Sequence, residues 1–107
     1  MNNCLQQTAG NGGLMHINGS VLRTLNVISG GKCRLSDLDD VFSRVTRCRL
    51  INSLEYLAES EYIELKNDTT GSRADLETGQ FSAINAVLTG KGILVLRGFL
   101  TDECVEV

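Results

Sequence analysis

The hydrophobic positions of the chain repeat first with the period of a helix, then with that of a strand, and then of a helix again. Val21, Leu22, Leu25 and Ile28 recur at i, i+1, i+4 and i+7, the spacing of one buried helix face, and the stripe stops at Gly30-Gly31. Ser20 stands before it as an N-cap. Leu35, Leu38, Val41 and Phe42 predict a short second helix capped by Ser36, with Asp37, Asp39 and Asp40 in its first turns, where negative charge suits the helix dipole. The third helix carries the clearest signal. Thr46 caps it, and Val45 with Leu50 forms a hydrophobic staple across the cap. Leu50, Ile51, Leu54, Leu57 and Ala58 then gather on one face, with Arg49, Asn52, Tyr56 and Glu59 opposite.

After this helix, Tyr62-Ile63-Glu64-Leu65-Lys66 alternates as a strand does. The polar stretch 67–80 is a loop, and 81–87 reads as a returning strand, so the two runs make a long-looped hairpin. Thr89 caps a last helix whose apolar positions are Ile93, Leu94, Leu96 and Leu100. Residues 1–19, rich in Asn, Gln and Gly, read as a mobile arm that becomes apolar enough to dock around Leu14 and Ile17. These patterns divide the chain into an arm at 1–19, a domain at 20–100 and a fraying tail at 101–107.

Composition narrows the class. A chain of 107 residues that is 42% hydrophobic and 21% charged, without proline, suits one small globular domain and is too apolar for wholesale disorder. Its uninterrupted apolar runs, such as 93–96, are far too short to span a bilayer, so no membrane span is expected. The first residues lack a basic start and an apolar stretch, and the expected location is the cytoplasm. Cys4, Cys33, Cys48 and Cys104 are scattered without a paired Cys-x-x-Cys, which points to free thiols rather than a metal site. With one histidine, His16, and no glycine-rich phosphate loop or nucleophile with its base, neither enzyme activity nor a cofactor is expected.

Charge adds an asymmetry that the net −3 conceals. Between Arg23 and Arg49, six basic residues face Asp37, Asp39 and Asp40, a net +3, whereas from Leu50 onward four cations meet ten carboxylates, a net −6. A basic pole from Arg23 to Arg49 and an acidic pole after it follow.

The order helix, helix, turn, helix, strand, loop, strand, helix resembles the winged helix-turn-helix superfamily over about residues 20–98, and local motifs add to the likeness. The run Val45-Thr46-Arg47-Cys48-Arg49-Leu50-Ile51-Asn52-Ser53-Leu54-Glu55-Tyr56-Leu57, followed by Tyr62-Ile63, looks like a recognition helix entering its first wing strand. Leu88-Thr89-Gly90-Lys91-Gly92 is similar to the Leu-Thr-x-Lys-Gly start of the helix after the wing. More loosely, size and order resemble small regulators of phages and mobile elements of the arsenic-repressor type. One departure is Ser60-Glu61 where many such domains stop the recognition helix on glycine.

The resemblance implies an α+β fold with a three-helix core, a β-hairpin wing and a C-terminal helix. It also implies a DNA-binding transcriptional regulator whose third helix enters the major groove. Arg47, Arg49, Asn52, Ser53 and Tyr56 would then reach bases or phosphates, Arg44 and Thr46 would position the backbone, and Arg73 at the wing would probe the minor groove or grip a phosphate. So small a reader of double-stranded DNA is expected to act as a homodimer, with Ile93, Leu94, Leu96, Phe99 and Leu100 as the interface. Cys48, flanked by Arg47 and Arg49, reads either as a small exposed residue or as a redox-active thiol of lowered pKa. The alternative function is a winged-helix module that binds protein through its acidic half and no DNA.

Overall fold

The computed structural model describes residues 11–76 and 80–107. Its first element is longer than the apolar pattern after Ser20 predicts. Helix α1 spans Asn11–Val27, because Leu14 and Ile17 extend the stripe of Val21, Leu22 and Leu25 upstream at helical spacing, and Ile17 is buried with the later three. Residues 11–19 are therefore helix rather than arm, while 1–10 lie outside the described residues. Ser20 sits inside α1 and accepts a hydrogen bond from Arg23 Nη2 at 3.1 Å, so it caps nothing. The helix does stop before the glycine pair. Gly30 and Gly31 both adopt positive φ, 72° and 68°, and turn the chain into strand β1, Lys32–Arg34.

Strand β1 leads straight into helix α2, Leu35–Val41, whose N-cap is Arg34 without a side-chain bond, so Ser36 lies in the first turn instead of capping it. A tight turn follows, closed by Phe42 N–H donating to Leu38 O and Val45 N–H to Phe42 O. Helix α3 spans Arg47–Glu59 and begins at Thr46, whose side chain accepts from Arg49 N–H at 3.3 Å. Its end is a Schellman turn, with Tyr62 N–H donating to Leu57 O and Glu61 N–H to Ala58 O. Glu61 takes the left-handed conformation at φ 67°, so a glutamate fills the position that glycine usually takes.

Strands β2, Ile63–Asn67, and β3, Ile84–Leu88, are antiparallel, and β1 joins the far side of β3 to give the order β1-β3-β2. Ile63 lies opposite Leu88 and Asn67 opposite Ile84, while Cys33 lies opposite Ala86. Residues 81–83, expected as strand, are a short 3-10 turn that leads into β3. The hairpin loop folds back on itself. Gly71, at φ 72°, reverses the chain, and Asn67 N–H to Ser72 O with Ala74 N–H to Leu65 O lays residues 72–74 along the free edge of β2.

Helix α4, Gly90–Leu96, starts at Thr89, whose hydroxyl accepts from Gly92 N–H at 3.1 Å. It stops before Phe99 and Leu100, with Gly98 at φ 82° ending the turn. The segment 101–107 does not fray. Val105 is buried, Glu106 N–H donates to Met15 O, and Asn18 Nδ2 donates to Cys104 O, so this segment docks on α1. Gly19 allows the approach, since a Cβ there would run into the Glu106 carbonyl.

The core lies between the helices and the inner face of the sheet. Leu22 and Leu25 of α1, Leu35 and Leu38 of α2, Leu50, Leu54 and Leu57 of α3, Ile63, Ile84 and Val95 are all but inaccessible to solvent. Among the described residues the result is an α+β arrangement of four helices and one three-stranded antiparallel sheet. No helix among the described residues is long and apolar enough to cross a membrane.

Candidate nucleic-acid interface

The turn between α2 and α3 brings the N-terminal end of α3 to the surface. Arg44, Thr46 and Arg47 are exposed there, close to the exposed strand residues Lys32 and Arg34 in sequence. Thr46 accepts from Arg49 N–H with its hydroxyl and so caps α3 at the positive end of the helix dipole.

Arg47 is held in place. Its Nη2 donates to Asp39 Oδ2 at 2.6 Å, and its guanidinium carbon lies 4.7 Å from the centre of the Phe81 ring, while its side chain keeps 62% of its surface exposed. Asp39 comes from α2 and Phe81 from the turn before β3, so one arginine ties the helix pair to the base of the hairpin. The sequence allows Arg47 and Arg49 either to meet DNA or to pair with Asp39 and Asp40, and the structure forms the Arg47–Asp39 pair; Phe81, expected in a strand, lies in the turn before it.

Three expected DNA contacts are turned elsewhere. Ser53 is fully buried and donates to Asn18 Oδ1 at 2.5 Å, a position its place between Leu50 and Leu57 on the inner face could have signalled. Tyr56 donates its hydroxyl to Asp102 Oδ2 at 2.6 Å, beneath the docked segment 101–107. Arg49 is half-buried and lies against Gly13 of α1, where a Cβ would meet its guanidinium, and its Nε is buried with no hydrogen-bond partner among the described residues. Of the outward positions of α3, Asn52 is half-buried, and Glu55 and Glu59 are exposed carboxylates. Cys48 is disulfide-bonded rather than a free thiol, so no thiolate stands in the first turn of α3; Cys33 and Cys104 are free, and Cys4 lies outside the described residues.

Arg73 is exposed, but it does not stand at the tip of the hairpin. It bridges to Lys66 beside β2, and the tip is the turn around 68–71. There Arg34 Nη2 pairs with Asp68 Oδ2 at 3.1 Å, and Asn85 Nδ2 donates to Asp68 Oδ1 at 2.9 Å, which fastens the loop to β1 and β3. Between this loop, β2, the C-terminal half of α3 and the start of α4 runs a groove of about 1080 Å³. Glu55, Glu59, Glu61, Glu64 and Asp75 line it, against Lys66, Arg73 and Lys91.

The Asp102 carboxylate accepts from both tyrosines, Tyr56 of α3 at 2.6 Å and Tyr62 at 2.7 Å. Burial alone would raise its pKa, but the two hydroxyls, Cys104 N–H and the charge of Lys91 outweigh that and hold it below the ordinary carboxylate value. The hydrogen bond to Asp102 and burial push Tyr62 up to about 12, and burial with the same bond raises Tyr56 further.

Of the five apolar residues expected to form a dimer interface, Ile93 is half-buried and Leu96 packs against the core. Leu94, Phe99 and Leu100 are exposed, Phe99 most of all at 74%. Phe99 and Leu100 N–H groups both donate to Leu94 O, which draws the backbone of the three together at the end of α4.

No family model, curated protein or solved structure matches the chain.

Proposed function

We propose that the chain is a winged helix-turn-helix domain, and that it acts as a DNA-binding regulator of transcription through the first turns of α3. The observation that carries this reading is the exposed cluster of Arg44, Thr46 and Arg47 at the N-terminal end of α3, presented by the α2–turn–α3 pair. Beside it stands a hairpin in a sheet of order β1-β3-β2. A helix delivered in this way enters the major groove N-terminus first. Arg44 and the capped helix end suit phosphates, Arg47 and Asn52 suit base edges, and Arg73 beside β2 suits a backbone contact. Glu55 and Glu59 limit the contact to the first turns, since phosphates repel carboxylates further along the helix. A pair of such domains, joined through Leu94, Phe99 and Leu100, would read two half-sites.

Retention of labelled duplex pools on the immobilised protein tests the reading. Arg44→Ala/Arg47→Ala is expected to lose retention while Arg49→Ala keeps it, and equal retention by both variants would contradict it.

A second reading rests on the groove. Its five carboxylates against three cations suit a basic protein segment better than a polyanion, which is the chemistry of an interaction module without DNA. In that case Glu55→Gln/Glu59→Gln weakens partner capture, and Arg44→Ala/Arg47→Ala does not.

A further inference from the structure

An arginine assigned to a base edge has to be set in one orientation to read it. We propose that Asp39 and Phe81 are positioning residues that set Arg47 to read a guanine edge, an inference that rests on the DNA-binding reading above. An exposed arginine ordinarily samples many rotamers and must be ordered when it binds. Here one edge of the guanidinium is held by the Asp39 carboxylate at 2.6 Å, and one face is covered by the Phe81 ring at 4.7 Å. The carboxylate is the less accessible partner, with 24% of its side-chain surface exposed against 62% for Arg47. Asp39 is therefore the fixed point, and Arg47 is the group that reaches out from it.

A planar fork fixed on one edge and one face presents its remaining N–H groups in one direction. That suits in-plane bidentate bonding to guanine O6 and N7, which a lysine, a flexible point charge without the planar fork, makes with less directional discrimination. A phosphate contact needs no such arrangement, because charge alone supplies most of its affinity. A carboxylate next to the contact also weakens attraction to any polyanion. Asp39 thus lowers affinity for all DNA and raises preference for one sequence, and these two effects separate on substitution.

The test is selection of duplexes from a randomised pool by the full chain, with sequencing of the retained fraction and parallel measurement of affinity for an unselected pool. The wild-type protein is expected to show a guanine preference at one position per half-site, about 5- to 150-fold over other bases. Asp39→Asn should bind the unselected pool more tightly yet lose that preference. Arg47→Lys should keep the affinity for the unselected pool and weaken the preference. Phe81→Leu, which keeps an apolar side chain without the ring, should weaken the preference with no change in charge. A guanine preference that survives in Asp39→Asn and Phe81→Leu overturns the positioning role while leaving DNA binding standing. A wild-type chain that retains no duplex at low salt overturns both this inference and the reading beneath it.

Discussion

Tyr56 of α3 donates its hydroxyl to Asp102, 46 residues further along the chain, and so fixes the segment 101–107 to the flank of the helix. Tyr62 donates to the same carboxylate oxygen, and these are the only two tyrosines in a chain without tryptophan. Tyrosinate absorbance therefore reports this clasp alone. Both folded-state tyrosine pKa values are raised, so their contribution to stability is whole below the ordinary value of about 10 and is lost as pH rises through about 12. Asp102 is depressed, so its share is present above the ordinary carboxylate value of about 3.9 and is lost as pH falls below it. A spectrophotometric titration should find little tyrosinate at about pH 10 in the wild-type chain. Asp102→Asn should move ionisation back towards that pH. Half-ionisation of the wild-type tyrosines at about pH 10 would show that the clasp does not form in solution.

Glu61 holds the left-handed position of the Schellman turn at φ 67°, where a Cβ is strained. Glu61→Gly should stabilise the fold by about 1 kcal/mol, a rise of about 4–8 °C in Tm for a domain of this size. The lost ion pair with Lys91, at 3.9 Å and exposed, offsets little of this. Thermal melting followed by circular dichroism checks it, and a lower Tm would mean that Glu61 contributes more than its backbone conformation costs.

Gly92 and Gly90 make a matched pair two residues apart in α4. A Cβ on Gly92 would collide with the Tyr62 carbonyl, whereas one on Gly90 meets nothing within 4 Å. Gly92→Ala should therefore cost about 1–3 kcal/mol through overpacking against backbone. Gly90→Ala should be neutral or stabilise by up to about 1 kcal/mol. Urea unfolding of the two variants gives the comparison, and equal effects would refute the close approach of α4 to Tyr62.

Ser53 and Asn18 form a fully buried polar pair, and Asn18 also holds the Cys104 carbonyl. Ser53→Ala leaves the Asn18 carbonyl oxygen without its donor in the core and should cost about 1–3 kcal/mol. Equilibrium unfolding measures this, and a loss within about 0.5 kcal/mol would place Ser53 at a solvated surface instead.

What could be read from the sequence was local. Thr46 and Thr89 cap α3 and α4 as expected, because a cap is a short-range bond between a side chain and an N–H three residues on. The leucine stripes of α1, α2 and α3 appear as buried faces for the same reason of short-range periodicity. Strand β1 escaped notice since three residues, Lys32-Cys33-Arg34, carry too little alternation to declare themselves. The first half of α1 was hidden by Gly12, Gly13 and Gly19, poor helix formers, and Gly19 is tolerated there because the Glu106 carbonyl packs against it. Within the candidate site, Arg44, Thr46 and Arg47 occupy the exposed helix end that the sequence indicated. Tyr56 and Arg49 do not, because their partners come from segment 101–107 and from α1, and helical periodicity carries no information about either.

The central claim is that the first turns of α3 bind DNA, and its most direct test is fluorescence anisotropy of labelled duplex across a series of salt concentrations. For the wild-type chain, affinity should fall steeply as salt rises, with Arg44→Ala reducing the slope of log affinity against log salt by about 1. Arg44→Ala/Arg47→Ala should bind at least about tenfold more weakly than wild type, and Arg49→Ala about as well as wild type. Absence of binding by the wild-type chain at low salt, or unchanged binding by the double variant, would contradict the account.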